Sequence, residues 1–198
     1  MIEYIRQNII IWGRMMRIIS GSRRGTVLFS PVTDKTRPTT DRVRENIFNI
    51  IRFNLPGAKA LDLFSGSGGM GIEALSQGAQ SCVFVDCEKA ATDIIKKNLE
   101  KTRLTDVSKV VRASFDAYIN STRDTFDIIF LDPPYHKNLI YEAMKLIKNK
   151  GLDNDGCLFV LECDSDEEVK LPSGYEIIRE KIYGRVKVSL AKRGEEVK

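Results

Sequence analysis

From residue 60 to residue 161, short apolar runs alternate with stretches whose apolar positions recur every three or four residues. Runs at 60–64, 81–85, 107–113, 127–131 and 157–161 predict strands, and the stretches at 70–77, 90–103, 115–120 and 139–148 predict helices. That alternation predicts an α/β fold, a parallel sheet with helices on both faces. The pattern changes at its end. Residues 175–182 and 185–191 read as two strands with only Tyr183-Gly184 between them, a closing hairpin that would add an antiparallel strand. In front of the alternation, 17–19 and 26–29 flank Ser20-Gly21-Ser22-Arg23-Arg24-Gly25 and predict a small hairpin with Arg23 and Arg24 near its tip. Residues 32–39 are loop-like. Thr39 or Thr40 can cap a helix bearing Val43, Ile47, Phe48, Ile50 and Ile51, and Leu55-Pro56-Gly57 ends it. The expected organisation is an extension at 1–15, a basic hairpin and helix at 16–55, the main unit at 56–192 and a tail at 193–198. The patterned sequence begins at Met16, which makes that residue an alternative start.

Composition changes this picture little. A length of 198 residues fits one domain with a small appendage. Hydrophobic residues at 42% and charged residues at 29% exclude a disordered or fibrous chain. No apolar run approaches the roughly 20 residues that a membrane span needs, and the start of the chain lacks a small-residue cleavage site. Cys82, Cys87, Cys157 and Cys163 are spaced for neither a zinc site nor a CxxC pair, and there is one histidine. No metal site is expected, and a reducing, cytoplasmic setting is the default.

Charge adds more. The net charge is +4, but residues 1–52 hold ten Lys/Arg against four Asp/Glu, a local excess of +6. The remainder is slightly acidic. A basic front end on a nearly neutral body predicts a polyanion contact carried by the first quarter of the chain; a solvated basic face is the other reading.

Two motifs carry candidate chemistry. In Leu61-Asp62-Leu63-Phe64-Ser65-Gly66-Ser67-Gly68-Gly69-Met70-Gly71, three glycines form GxGxxG between a strand and a helix, and Asp86 closes the next strand. This is a nucleotide-binding arrangement, in which glycines admit the ligand to the backbone and the acid accepts ribose hydroxyls. Asp62 inside the strand would repel a pyrophosphate, whereas the sulfonium and ammonium of S-adenosylmethionine suit carboxylates at Asp62 and Asp86. The second motif is Asp132-Pro133-Pro134-Tyr135 at the carboxyl end of the fourth strand, where open α/β sheets place ligands. An exocyclic amino group on a base is a poor nucleophile with two N–H donors. The Asp132 carboxylate and the Pro133 carbonyl can accept them, two prolines hold that carbonyl stiffly, and Tyr135 offers a face for the base. Methyl transfer would then rest on positioning and electrostatics. Ser114 and Phe115 are either an adenine grip or a helix cap with a core ring, and His136 reads as a loop residue facing phosphate or solvent.

Together these residues resemble the bacterial small-subunit ribosomal RNA guanine-N2 methyltransferases of RsmD type. The resemblance runs over about residues 16–191. It includes Arg17-Ile18-Ile19-Ser20-Gly21 with Arg24-Gly25, Arg37-Pro38-Thr39-Thr40-Asp41-Arg42-Val43-Arg44-Glu45 followed by Phe48-Asn49, both motifs above, and Tyr183-Gly184. The Arg37 to Glu45 run is its specific part, because the Asp-Pro-Pro-Tyr type of motif is shared with DNA adenine methyltransferases. It implies a Rossmann-like class I S-adenosylmethionine-dependent methyltransferase: a mostly parallel seven-stranded sheet, an antiparallel C-terminal hairpin, and a small N-terminal hairpin-plus-helix appendage. The implied substrate is a guanine of 16S rRNA on an assembling 30S particle, met by a monomer. The implied cofactor contacts are Asp62, Phe64, Ser65, Gly66, Gly68, Asp86, Cys87, Ser114, Phe115 and Asp132; the implied RNA contacts are Arg23, Arg24, Arg37, Arg42 and Arg44. Some of these arginines could instead order the 37–45 segment as a lid. Family members usually carry an acid where Ser114 stands, a role Asp116 could take, and the extension at 1–15 is untypical. The alternatives are an adenine-N6 methyltransferase, a non-catalytic RNA-binding assembly factor and, weakest, a dehydrogenase.

Overall fold

The structure is a computed structural model that describes residues 16–30 and 41–194. Seven strands form the central sheet: β3 (Lys59–Asp62), β4 (Ser81–Asp86), β5 (Ser108–Arg112), β6 (Phe126–Leu131), β7 (Asp153–Asp164), β8 (Tyr175–Tyr183) and β9 (Val186–Arg193). Their order is β5-β4-β3-β6-β7-β9-β8. The first five are parallel, and β9 enters antiparallel to both β7 and β8. The chain winds outward from β3 to β5 and then returns to the other side of β3, so the order reverses between β3 and β6. In such sheets the ligand crevice lies at that reversal.

Alternation of side chains along each strand builds two cores. Ala60, Phe84, Ile128, Phe130 and Val160 face α1 (Asp41–Ile51), α2 (Gly69–Ser76) and α3 (Lys89–Thr102). Leu61, Val85, Ile129, Leu131 and Phe159 face α4 (Phe115–Ser121) and α5 (Leu139–Lys150). The same alternation governs the strand ends. Asp62, Asp86, Asp132 and Glu162 each follow an apolar residue of the second face, so all four carboxylates fall on the first face. The third glycine of GxGxxG has a packing reason. A Cβ on Gly71 would lie 2.3 Å from the Phe84 ring and 2.7 Å from Cys82 Sγ, so only glycine lets α2 lie this close to β4.

The expected hairpin exists but is short. Its strands are β1 (Met16–Arg17) and β2 (Val27–Leu28), with a 3-10 turn at Gly21–Arg23 between them. Two residues a side cannot hold a hairpin alone, and polar side chains of the body hold it instead. Glu73 on α2 accepts from Ile19 N at 2.8 Å and Ser20 N at 2.9 Å. Asn98 on α3 accepts from Phe29 N at 2.7 Å and donates to Phe29 O at 3.0 Å and Ser67 O at 2.9 Å. Ser76 Oγ accepts from Arg23 N at 3.0 Å and donates to Ser20 O at 2.6 Å. Glu73, Ser76 and Asn98 are buried.

Two expectations about elements are corrected. The strand expected at 157–161 is the 12-residue β7. Polar residues hid its ends: Asp153 is buried against Arg193 Nε and Nη2, each at 2.7 Å, and against the Tyr175 hydroxyl at 2.7 Å. The strand expected at 60–64 ends at Asp62, because Leu63 and Phe64 already belong to the turn into the glycine loop. The extension at 1–15, the loop at 32–39, Thr39, Thr40 and Arg37 lie outside the described residues.

Candidate active site

Both motifs converge where the fold predicts. The glycine loop follows β3 and Asp132 follows β6, and these strands are neighbours, with Asp62 paired in register to Phe130. Gly66 and Gly68 adopt φ values of +53° and +82°, a region favouring glycine, and turn the loop into α2. Ser65 braces the turn: its hydroxyl donates to Asp62 O at 2.6 Å and accepts from Val85 N at 2.9 Å.

The acids are held by backbone amides. Asp62 accepts from Gly71 N at 3.0 Å, which ties the strand end to the first turn of α2. Asp86 uses both oxygens, accepting from Gly66 N and from Glu88 N, each at 2.9 Å. That fixes the plane of its carboxylate at the rim of the loop while leaving further lone pairs for hydroxyl donors. Beyond it, Cys87 is exposed, with its carbonyl accepting from Arg112 Nε at 3.3 Å. Phe64 and Phe115 meet with ring centroids 5.5 Å apart, so the loops after β3 and β5 share an aromatic wall. Ser114 caps α4 and its hydroxyl bonds the exposed Asp116 carboxyl, the first cause holding that group below its usual range.

Asp132-Pro133-Pro134-Tyr135 forms the opposite lip. Pro133 is buried, Pro134 is exposed, and Asp132 and Tyr135 are half-buried. The Tyr135 hydroxyl donates to Glu162 Oε1 at 3.3 Å. Leu131 pairs in register with Leu161, so the next residues, Asp132 and Glu162, stand side by side where β6 ends and β7 runs on. Glu162 is buried and was not singled out in the sequence. A signal was present: Phe159-Val160-Leu161-Glu162 repeats the apolar run ending in an acid seen in Ile129-Phe130-Leu131-Asp132.

Two of these carboxyls, Asp62 and Asp132, hold their protons more tightly than usual, first because they are buried. Burial pushes the Asp62 carboxyl up to about 7, against the Gly71 amide and with help from the Asp86 charge. Burial, then the charges of Glu162 and Asp62, lift Asp132 well above the usual carboxylate range. Burial, then the charges of Glu162 and Asp132, raise the Tyr135 phenol, which stays a neutral donor. The ionised form of Asp132 expected from the sequence is therefore costly until a cation or N–H donor arrives. A ligand with a sulfonium and an ammonium fits that deficit; a pyrophosphate does not.

The arginines divide. Arg24 and Arg42 are exposed. Arg23 is half-buried and its Nε donates to Thr102 O at 2.6 Å, so part of its guanidinium serves the hairpin dock. Arg44 corrects an expectation. It is 2% exposed, donates from Nη2 to Arg17 O at 2.5 Å and Asp41 Oδ1 at 2.9 Å, and lies 3.8 Å from Glu73 Oε2. It cannot meet RNA there. Its position on α1 in line with buried Ile47, Phe48 and Ile51 was the warning. An exposed aromatic that sequence reasoning passed over, Phe53, carries Arg52 at 4.4 Å from its ring centroid. His136 faces solvent with its backbone N donating to Glu167 Oε2 at 3.0 Å. Cys82, Cys157 and Cys163 are buried free thiols. Among the described residues no helix is long and apolar enough to cross a membrane.

Comparison with known proteins gives a consistent picture. The family described as conserved hypothetical protein 95 matches residues 16–192. Ribosomal RNA small subunit methyltransferase D of Escherichia coli (strain K12) is 32% identical over 179 residues, covering 90% of this chain and 90% of its own. The Bacillus subtilis protein YlbH is 40% identical over 185 residues, covering 90% of this chain and 99% of its own. The solved structure of yhhF from Escherichia coli superposes with a TM-score of 0.81 at 32% identity, covering 90% of this chain and 98% of that one.

Proposed function

This chain belongs to the conserved hypothetical protein 95 family, the RsmD family, and from that premise we propose that it transfers a methyl group from S-adenosylmethionine to the exocyclic N2 amino group of a guanine in 16S rRNA. The observation that carries the reading is the convergence of the glycine loop and Asp132-Pro133-Pro134-Tyr135 on one crevice lined by carboxylates of a single sheet face.

S-adenosylmethionine supplies an electrophilic methyl on a sulfonium. Asp86, fixed by Gly66 N and Glu88 N, accepts the ribose hydroxyls. Phe64 and Phe115 enclose the adenine, with Ser65, Cys87 and Ser114 at its edges. Asp62 and Asp132 balance the positive charge. The Asp132 carboxylate and the Pro133 carbonyl accept the two N–H groups of the target amine and aim its lone pair, while Tyr135 stacks on the base. As the new C–N bond forms, the methyl–sulfur bond would break to leave the neutral thioether S-adenosylhomocysteine, and the nitrogen would shed a proton. Asp132, whose hold on a proton is raised by burial, is the acceptor in reach.

A base in a folded RNA must be swung out to reach this crevice. Arg24, Arg42 and the Arg52–Phe53 pair, all on the 16–55 segment, support a phosphate and base-stacking contact there. The enzyme would act as a monomer in the cytoplasm on an assembling 30S particle. The test is methylation of free 16S rRNA and of assembled 30S particles with labelled S-adenosylmethionine, followed by digestion to nucleosides. N2-methylguanosine is expected with the wild type, and Asp132→Ala should lower the rate at least about 10²-fold. N6-methyladenosine, or a full rate in the variant, overturns the assignment.

A further inference from the structure

Two carboxylates stand side by side at the target-base lip, although holding an amino group requires only one. Asp132 and the Pro133 carbonyl already provide two acceptors for two N–H groups. Glu162 is placed next to Asp132 by the Leu131–Leu161 register, on the same sheet face, and its Oε1 accepts the hydroxyl of the tyrosine proposed to stack on the base. An acid buried to 4% exposure beside another acid is unfavourable for folding. Such a pair persists where a ligand uses it.

We propose that Glu162 is the residue that selects guanine, by accepting the N1–H that neighbours the N2 amino group. This rests on the guanine-N2 reading given above and deepens it. The Watson–Crick edge of guanine presents two adjacent donors, the amino group and N1–H. That of adenine presents an amino group beside an unprotonated N1, which is an acceptor. A lip with Asp132 and Glu162 abreast offers a continuous row of acceptors. It matches guanine and sets a lone pair against a carboxylate when adenine enters. The Tyr135 hydroxyl takes one lone pair of Glu162, at 3.3 Å. A carboxylate has about four acceptor positions, so this bond and the N1–H bond are compatible.

The experiment uses 16S rRNA joined from fragments so that the modified position carries either guanosine or 2-aminopurine riboside. The second base keeps the N2 amino group and lacks N1–H. The readout is the ratio of kcat/KM on the two RNAs for wild type, Glu162→Gln and Tyr135→Phe. Wild type should prefer guanosine by about 10²-fold, the worth of a hydrogen bond to a charged group plus the penalty of an opposed lone pair. Glutamine can donate to the bare N1, so Glu162→Gln should cut that preference to within about tenfold. Tyr135→Phe leaves the carboxylate in place and should keep it. The missing O6 of 2-aminopurine affects all three proteins alike and cancels in the comparison. An unchanged ratio in Glu162→Gln overturns the proposal, and so does loss of the preference in Tyr135→Phe. Equal use of both bases by the wild type overturns it without any variant having to fold. Absence of transfer to guanosine by the wild type instead overturns the guanine-N2 reading itself.

Discussion

The crevice and the basic appendage both bury charge, but they do so in opposite ways. At the crevice, burial and the charges of neighbouring acids give Asp62 and Asp132 an elevated hold on protons. In the appendage, Arg44 is as buried as any residue of the crevice, yet it is bonded to Arg17 O and Asp41 and lies beside Glu73. Glu73 in turn accepts from two hairpin amides and from Gln77 Nε2 at 2.8 Å. Like charges gathered on one rim mark a place that waits for a ligand. Opposite charges and backbone groups that satisfy one another mark a joint. The difference assigns roles that charge counting assigned wrongly, because the local excess of +6 in residues 1–52 treats Arg44 and Arg24 as equals.

Removing Arg44 tests that distinction most severely. Arg44→Ala strips a buried guanidinium and leaves Glu73 with less neutralisation at the junction of hairpin, α1 and α2. A loss of about 3 kcal/mol in unfolding free energy is expected, the size seen when one partner of a buried pair is removed. Urea unfolding followed by circular dichroism measures it. RNA affinity of the folded fraction should be unchanged. A variant with native stability and weakened RNA binding would return Arg44 to the contact surface and erase the contrast.

The crevice acids make the converse prediction. The Asp62 carboxyl releases its proton near 7 in the folded chain and near 3.8 when unfolded. Between those values the unfolded state binds fewer protons, so stability falls as pH rises through the window and levels off above it. Asp62→Asn removes this loss while keeping an oxygen to accept from Gly71 N. From pH 5 to pH 8 the wild type should lose on the order of 2 kcal/mol more than the variant. Affinity for S-adenosylmethionine should rise more steeply through pH 7 in the wild type than in the variant, because the ionised Asp62 then meets a cation. Parallel pH dependences in the two proteins would mean that Asp62 is satisfied like Glu73.

Which parts of this were legible in the sequence follows the same division. The alternation of strands and helices survived to within a few residues because it rests on local periodicity, and the glycine loop and Asp132-Pro133-Pro134-Tyr135 are contiguous motifs whose neighbours supply the context. The joint was not legible. Glu73, Ser76 and Asn98 sit on helices as ordinary polar residues, and their partners lie 53 to 69 positions away. Nothing local distinguishes a buried asparagine that binds a distant strand from one that faces water. Glu162 falls between these cases. The apolar run before it closes on an acid as the run before Asp132 does, but only the in-register pairing of β6 and β7 brings the two acids side by side.

The smallest expected effect is the most discriminating for the appendage. Arg24 is exposed at the hairpin tip, where its backbone N donates to Gly21 O at 3.3 Å. Arg24→Ala should therefore leave the unfolding curve in place. Its cost belongs to the encounter with phosphate: about a threefold rise in KM for 16S rRNA, and a salt dependence of binding shallower by roughly one ion. The two readouts move separately in the two arginines. Arg44→Ala shifts stability without touching the salt slope, and Arg24→Ala shifts the slope without touching stability. Arg23 should fall between them, because its Nε is committed to Thr102 O while the rest of its guanidinium is partly open to solvent. If Arg23→Ala behaved like either extreme, the division of the basic segment into joint and contact would have to be redrawn at the hairpin tip, where α3 meets the proposed RNA contact.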